Sequence, residues 1–277
     1  MICDMTKTNE TQREYWRNRR AWVDRQEQMD SQLEVFGLAA IEALGDISGT
    51  KVLDVGCGCG HTTLELHSRV GNGKVVGVDI SDKLLEVARS RSNEAIKFVE
   101  ADAQVNELGG PYDAIFSRFG VMFFEDPVAA FGNLKSASTS AGRLSFVCWQ
   151  QPAQNPWMTV PNRTALEFVE LPSRAPGSPD PFAFSDPNYV SEVLEGAGWI
   201  NVEIEDVQAE VELGGGVNAM EAAVHAYDFG PFKAVVEENP EVSPSEIIEA
   251  MKRSLEPYQT NRGVVLPGAV WLVTAQL

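Results

Sequence analysis

Apolar positions fall into two alternating kinds of run along this chain. Short β-branched runs end at glycine or an acid, and longer stretches repeat their apolar residues at helical spacing. Residues 51–55 (KVLDV) predict a buried strand that enters a tight turn at Gly56, Gly58 and Gly60. A short helix over 62–70 follows, then a second strand over 74–79 that ends in the carboxylate of Asp79. Ser81 stands as the N-cap of a helix whose stripe is Leu84, Val87 and Ala88. Further strands are predicted over 96–100, 112–117, 143–149, 199–207 and 269–275. Helices lie between them: one opened by Asp126 and Pro127, one over 157–169, and one capped by Asp186 before Pro187. Residues 172–187, rich in proline, predict a surface loop. Alternating strands and helices specify an α/β domain with a mainly parallel sheet.

Two stretches fall outside that alternation. After a disordered start over residues 1–8, Tyr15, Trp22, Met29, Leu33, Phe36, Ala40 and Leu44 recur at helical spacing and predict one long helix or two. Between the last two strands, helical patterns run over 218–229 and 243–255, the second with Ser243, Pro244 and Glu246 as a capping box. The expected organisation is a helical arm over 1–45 and an α/β core over 46–207, with 151–185 lying over the active site. A helical lid over 208–256 and a final strand over 257–277 complete it.

The glycine turn carries the chemistry. Without Cβ atoms, Gly56, Gly58 and Gly60 let the backbone bend sharply and approach a bound molecule, and the first amides of the next helix face that molecule. Asp79 is placed to accept hydrogen bonds from both hydroxyls of a ribose, so the unit reads as nucleoside-binding. The dinucleotide fingerprint GxGxxG would need its third glycine where His61 stands. Asp54, just before the turn, would repel a pyrophosphate but suits a cationic amine. These features favour S-adenosylmethionine (SAM) over NAD.

VLDVGCGCGHTTLEL, VVGVDIS, FVEADAQ, SRFGVMFFEDPVAAF, FVCWQ, NPWM, FAFSDP and AVWLVTA resemble class I SAM-dependent methyltransferases. They are similar to the bacterial small-molecule group related to ubiquinone and menaquinone biosynthesis. That resemblance implies a Rossmann-like fold with a seven-stranded, mostly parallel sheet and helices on both faces. It places Asp54, Gly56, Cys57, Gly58, Gly60, Asp79, Ile80, Asp102, Ala103 and Ser117 around SAM, with Asp102 on the adenine amino group. It turns Trp22, Arg118, Phe119 and Met122 towards the methyl acceptor, with Arg118 free to pair with the methionine carboxylate or an acidic acceptor.

Charge and cysteine content narrow the partners. A formal net charge of −18 would repel polyanions, so nucleic acid is disfavoured and a small-molecule acceptor is expected. Cys3, Cys57, Cys59 and Cys148 form neither a disulfide framework nor a zinc spacing, and no metal is expected. With no signal peptide and no apolar run long enough to span a bilayer, a cytoplasmic enzyme is the simple reading, with homo-oligomers open.

Methyl transfer needs in-line positioning in a dry site, with a base where the acceptor is a hydroxyl or an ammonium. His225, in the lid, is the first candidate base; Tyr15 and Tyr227 follow, then Glu125. His67 reads as structural and His61 as a first-turn residue near the methionine end. A thiolate, neutral amine or electron-rich aromatic carbon would need no base. Two alternatives stay open, an NAD(P)-dependent oxidoreductase and a non-catalytic SAM-binding protein.

Overall fold

The computed structural model describes residues 9–17, 19–92, 94–171 and 180–277. The expected irregular start at 1–8, and residues 172–179 of the proline-rich loop, lie outside them. Helices α1 (Glu10–Arg17), α2 (Ala21–Asp24) and α3 (Gln26–Ala43) come first. The alternating core follows as β1 (Lys51–Val55), α4 (His61–Val70), β2 (Lys74–Asp79), α5 (Asp82–Arg91), β3 (Lys97–Glu100), β4 (Tyr112–Arg118), α6 (Pro127–Ser136) and β5 (Ser138–Trp149). Then come α7 (Pro156–Ala165), α8 (Pro187–Gly196), β6 (Ile200–Glu212), α9 (Ala219–Phe229), α10 (Phe232–Glu238), α11 (Pro244–Leu255), the two-residue β7 (Gln259–Thr260) and β8 (Gly263–Gln276).

The main sheet runs β3-β2-β1-β4-β5-β8-β6, and β7 pairs only with β8. Pairs from β3 through β5 are parallel, whereas β8 is antiparallel to both β5 and β6. Strands β1, β2 and β4 are buried almost without interruption, as expected of parallel strands covered on both faces. At the outer edge, β6 alternates half-buried and exposed residues and carries Glu203, Glu205, Asp206 and Glu210, charges that discourage edge-to-edge pairing. Strand order reverses between β1 and β4, and an open α/β sheet binds its ligands at the carboxyl ends of the strands at such a switch point.

Several local expectations change in the fold. The arm is three helices, interrupted at Arg25, where φ is −125°. The final hairpin is longer than its apolar pattern suggests, pairing out to Glu212 opposite Val265. Gln208, Glu210 and Glu212 on β6, with Pro267 and Gly268 on β8, hide that extension because polar, proline and glycine residues weaken a strand signal. Helix α10 lies between the two helical patterns expected in the lid. Ser81 and Ser243 occupy N-cap positions without a side-chain capping bond, whereas Asp126 and Asp186 accept from Ala129 and Asn188 amides. The Ser81 hydroxyl has no partner among the described residues, while its amide donates to Asp79 Oδ1 at 2.9 Å.

A single buried side chain joins β5, α7 and β8. Asn155 is fully buried; its Nδ2 donates to the carbonyls of Gln150 (3.2 Å) and Ala269 (3.0 Å). Its Oδ1 accepts from the Ala269 amide at 3.0 Å and Trp157 Nε1 at 3.3 Å. Asn155→Ala strands several buried polar groups and should destabilise the fold by about 2–4 kcal/mol. Urea unfolding checks this, and a loss below about 1 kcal/mol would mean that water replaces the side chain.

Candidate active site

The three turn glycines are required for three different reasons. A Cβ on Gly56 would lie 2.7 Å from Gly120 Cα, where the loop after β4 meets the end of β1. At Gly60 it would press on Ala88 Cβ at 3.0 Å and Phe98 at 3.1 Å, so this glycine lets α5 and β3 close on the turn. At Gly58 it would meet nothing within 4 Å. The space beside Gly58 belongs to a cavity of about 850 Å³. All three have positive φ, the region glycine enters without steric cost.

Asp79 stands on the wall of that cavity, its Oδ2 accepting from the Gly58 amide at 2.8 Å and its Oδ1 from the Ser81 amide. Burial raises its pKa to about 6 against the opposing effect of those amides. Asp102 and Ala103 line the same cavity beyond β3. Asp102 Oδ1 accepts from the Gln104 amide at 2.9 Å, and its Oδ2 accepts from Asn9 Nδ2 at 2.8 Å. Gly56, Cys57 and Ile80 complete the group of expected cofactor residues that reach the cavity.

Asp54, Gly60 and Ser117 do not reach it. Direct contact is the expectation for Asp54, yet it is completely buried behind the turn, its Oδ2 accepting from the hydroxyls of Thr62 (2.9 Å) and Thr63 (2.6 Å). There it faces the first turn of α4, where a carboxylate is favoured by the helix dipole. Its Oδ1 has no partner among the described residues, and burial lifts its pKa to about 6. Ser117 instead donates to the Val55 carbonyl at 2.7 Å and accepts from the Gly120 amide at 3.2 Å, bracing the Gly56–Gly120 contact.

Residues 52–142, which contain this arrangement, match a family model described as a methyltransferase domain. The malonyl-[acyl-carrier protein] O-methyltransferase of Acetivibrio thermocellus is 33% identical over 36% of this chain and 35% of its own length. The demethylmenaquinone methyltransferase of Lactococcus lactis is 27% identical over 41% of this chain and 47% of its own. The chain therefore spans less than half the length of these curated relatives. In three dimensions it resembles Haemonchus contortus phosphoethanolamine N-methyltransferase 2, a structure in complex with phosphomonomethylethanolamine and S-adenosylhomocysteine. That likeness has a TM-score of 0.52 at 16% identity, over 87% of this chain and 52% of that one. Residues 52–142 are thus similar to a methyltransferase domain.

Around residues 52–142, the N-terminal helices and the segment between β6 and β8 add side chains to the cavity lining. Arg13 Nη1 donates to the Ile80 carbonyl (3.3 Å) and to Glu100 (3.0 Å), fastening α1 to the ends of β2 and β3. Trp16 meets Phe123 edge-on at 5.0 Å, and Trp22 meets Phe229 of α9 at 5.3 Å. Tyr15, Trp22, Phe119, Met122 and His225 all line the cavity. Tyr227, an expected alternative base, does not; it is buried on α9, and burial raises its pKa.

Arg118 lines the cavity but is already engaged. Its Nη2 donates to Asp30 Oδ1 at 3.2 Å, and its Nη1 lies 3.1 Å from His61 Nδ1. Asp30 Oδ2 also accepts from Arg91 at 2.9 Å, and Arg91 donates to the Cys59 carbonyl. This ion network replaces the free cation expected at Arg118. It also gives His61 a role: burial, with Arg118, lowers its pKa and keeps the ring neutral beside the guanidinium. Asp30, Asn9, Trp149 and Trp157 are cavity residues beyond the sequence expectation. Only Asp30 carried a signal, a carboxylate set in the buried stripe of α3 between Met29 and Leu33.

The raised pKa of Asp54 has a measurable consequence in the ligand-free protein. Between pH 3.8, the ordinary value, and about 6, the folded chain holds a proton that the unfolded chain has released. Stability from this residue is therefore greatest at low pH and declines as pH rises through 6. Asp54→Asn keeps an acceptor for the two threonines and removes the titration. Its stability relative to wild type should improve by roughly 2 kcal/mol between about pH 4.5 and 7.5. Paired urea titrations would show this, and a constant difference across pH would refute it.

Proposed function

We propose that the chain transfers a methyl group from S-adenosyl-L-methionine to a small, hydrophobic or aromatic acceptor, releasing S-adenosyl-L-homocysteine. The observation that carries this reading is the Asp79 carboxylate beside Gly58, where a missing side chain leaves open space next to a buried acceptor of hydrogen bonds. Each oxygen of Asp79 already accepts one amide and keeps a lone pair for a ribose hydroxyl. Asp102 and Ala103 would meet the adenine base, and the Asn9 hydrogen bond that holds the Asp102 carboxylate supports this role. Gly56, Cys57, Gly58 and Ile80 supply the close backbone surface.

When bound, SAM supplies an electrophilic methyl group on a sulfonium. The chain's own contribution is to hold two partners in line and keep water out. Trp16, Trp22 and Phe229 cover the cavity, and Phe119, Met122, Trp149 and Trp157 form an apolar wall. Protein thiols must not compete for the methyl group. Burial pushes the Cys57 thiol well above its ordinary pKa and that of Cys59 up to about 12, so neither is a thiolate. The net charge of −18 supports a small acceptor over a nucleic acid.

Calorimetry with SAM, S-adenosylhomocysteine and NAD tests the cofactor. Micromolar binding of the first two and none of NAD is expected. Asp79→Ala should weaken SAM binding by about 1.5–3 kcal/mol, because a charged acceptor is lost from the ribose. Unchanged affinity in the variant would remove Asp79 from the site, and NAD binding in place of SAM would overturn the reading.

A further inference from the structure

His225 is 2% exposed on the wall of the cavity, and neither of its ring nitrogens has a hydrogen-bond partner among the described residues. An imidazole offers one donor and one acceptor, and leaving both unmet in a buried site is costly. Phe229 packs against the ring at 4.5 Å, and Gly214 lies beside it, where a Cβ would stand 3.4 Å from His225 Cγ. The surrounding charges are satisfied elsewhere: Arg25 pairs with Asp228 at 2.8 Å, and Arg19 donates to the carbonyls of Phe229 and Gly230. Burial, reinforced by Arg25, lowers the pKa of His225 to about 4, so the ring is neutral near pH 7.

The neighbouring walls are aromatic faces. Phe119 and Trp149 stack at 4.0 Å with an angle of 8°, and Trp157 lies 5.0 Å from Trp149 on α7, which packs against α9. Unmet amide oxygens of Asn9, Gln12 and Gln26 also line the cavity, but the aromatic walls with the unmet imidazole suit a flat apolar molecule that carries a polar hydrogen. We propose that the acceptor is an aromatic ring bearing a hydroxyl group, and that His225 receives the hydroxyl proton as the oxygen is methylated. This rests on the methyltransferase reading above.

The bonds balance without another reactant. A C–O bond forms as the C–S bond of the sulfonium breaks, and the C–S electron pair stays on sulfur as a neutral thioether. The O–H pair stays on oxygen, while the proton passes to the imidazole and then to solvent. A weak base suffices because the oxygen becomes far more acidic as the new bond grows, so the proton moves late. A thiolate acceptor has no such proton to lose.

The test uses 2-naphthol and 2-naphthalenethiol as probes with labelled SAM. Wild-type protein is expected to methylate 2-naphthol. His225→Ala should cut that rate by about 30-fold or more, keep the SAM dissociation constant within about twofold, and lower thiol methylation by less than about threefold. Should the variant not fold, nitrogen-15 histidine spectra of wild-type protein loaded with S-adenosylhomocysteine decide the matter. Adding 2-naphthol should then shift a ring-nitrogen resonance of His225. Equal losses for naphthol and thiol, no spectral shift, or SAM binding without methylation of naphthol would each overturn the inference while leaving the cofactor reading intact. Failure to bind SAM would overturn both.

Discussion

Two backbones meet at the floor of the cavity with no room for a side chain between them. A Cβ on Gly56 would stand 2.7 Å from Gly120 Cα, and one on Gly120 would stand 2.9 Å from Gly56 Cα. This contact brings the carboxyl ends of β1 and β4 together where the strand order reverses, and Ser117 braces it from below. With the floor closed, the turn can present Gly58 upward while Asp79, from β2, fixes the Gly58 amide. This wall of the cavity is thus a consequence of strand order plus two absent side chains.

Charge is handled by burying it in pairs or confining it. Asp30 accepts from Arg91 and Arg118, joining α3 to α5 and to the end of β4 across the turn. Breaking one partner of such a buried group leaves the other uncompensated, so the network specifies how α3 lies on the sheet more than it adds stability. Asp54 and Asp79 are buried acids with raised pKa values, a local cost accepted where the glycine turn must be held. His225 is the neutral counterpart on the opposite, aromatic side.

Legibility in the sequence followed periodicity. The core strands and most helices were readable because the buried runs of β1, β2 and β4 and the stripe of α8 report burial through residue type alone. The Ser243 hydroxyl pairs with that of Ser245 in place of a capping amide, and the Ser81 hydroxyl bonds no described residue, choices that residue type alone does not report. Arg118 looked free because Asp30 is far away along the chain. The aromatic wall stayed hidden because Trp149 and Trp157 read as ordinary strand and helix core.

By itself the sequence determined the α/β alternation, the glycine turn and the acid at the end of β2, since each depends on residues within one supersecondary unit. Only the tertiary structure decided which turn residues face the cavity, whether Arg118 is paired, and that His225 arrives there with both nitrogens unmet. The physical reason is range. Backbone geometry and burial periodicity are local, whereas a side chain's partners are set by the packing of distant elements against one another.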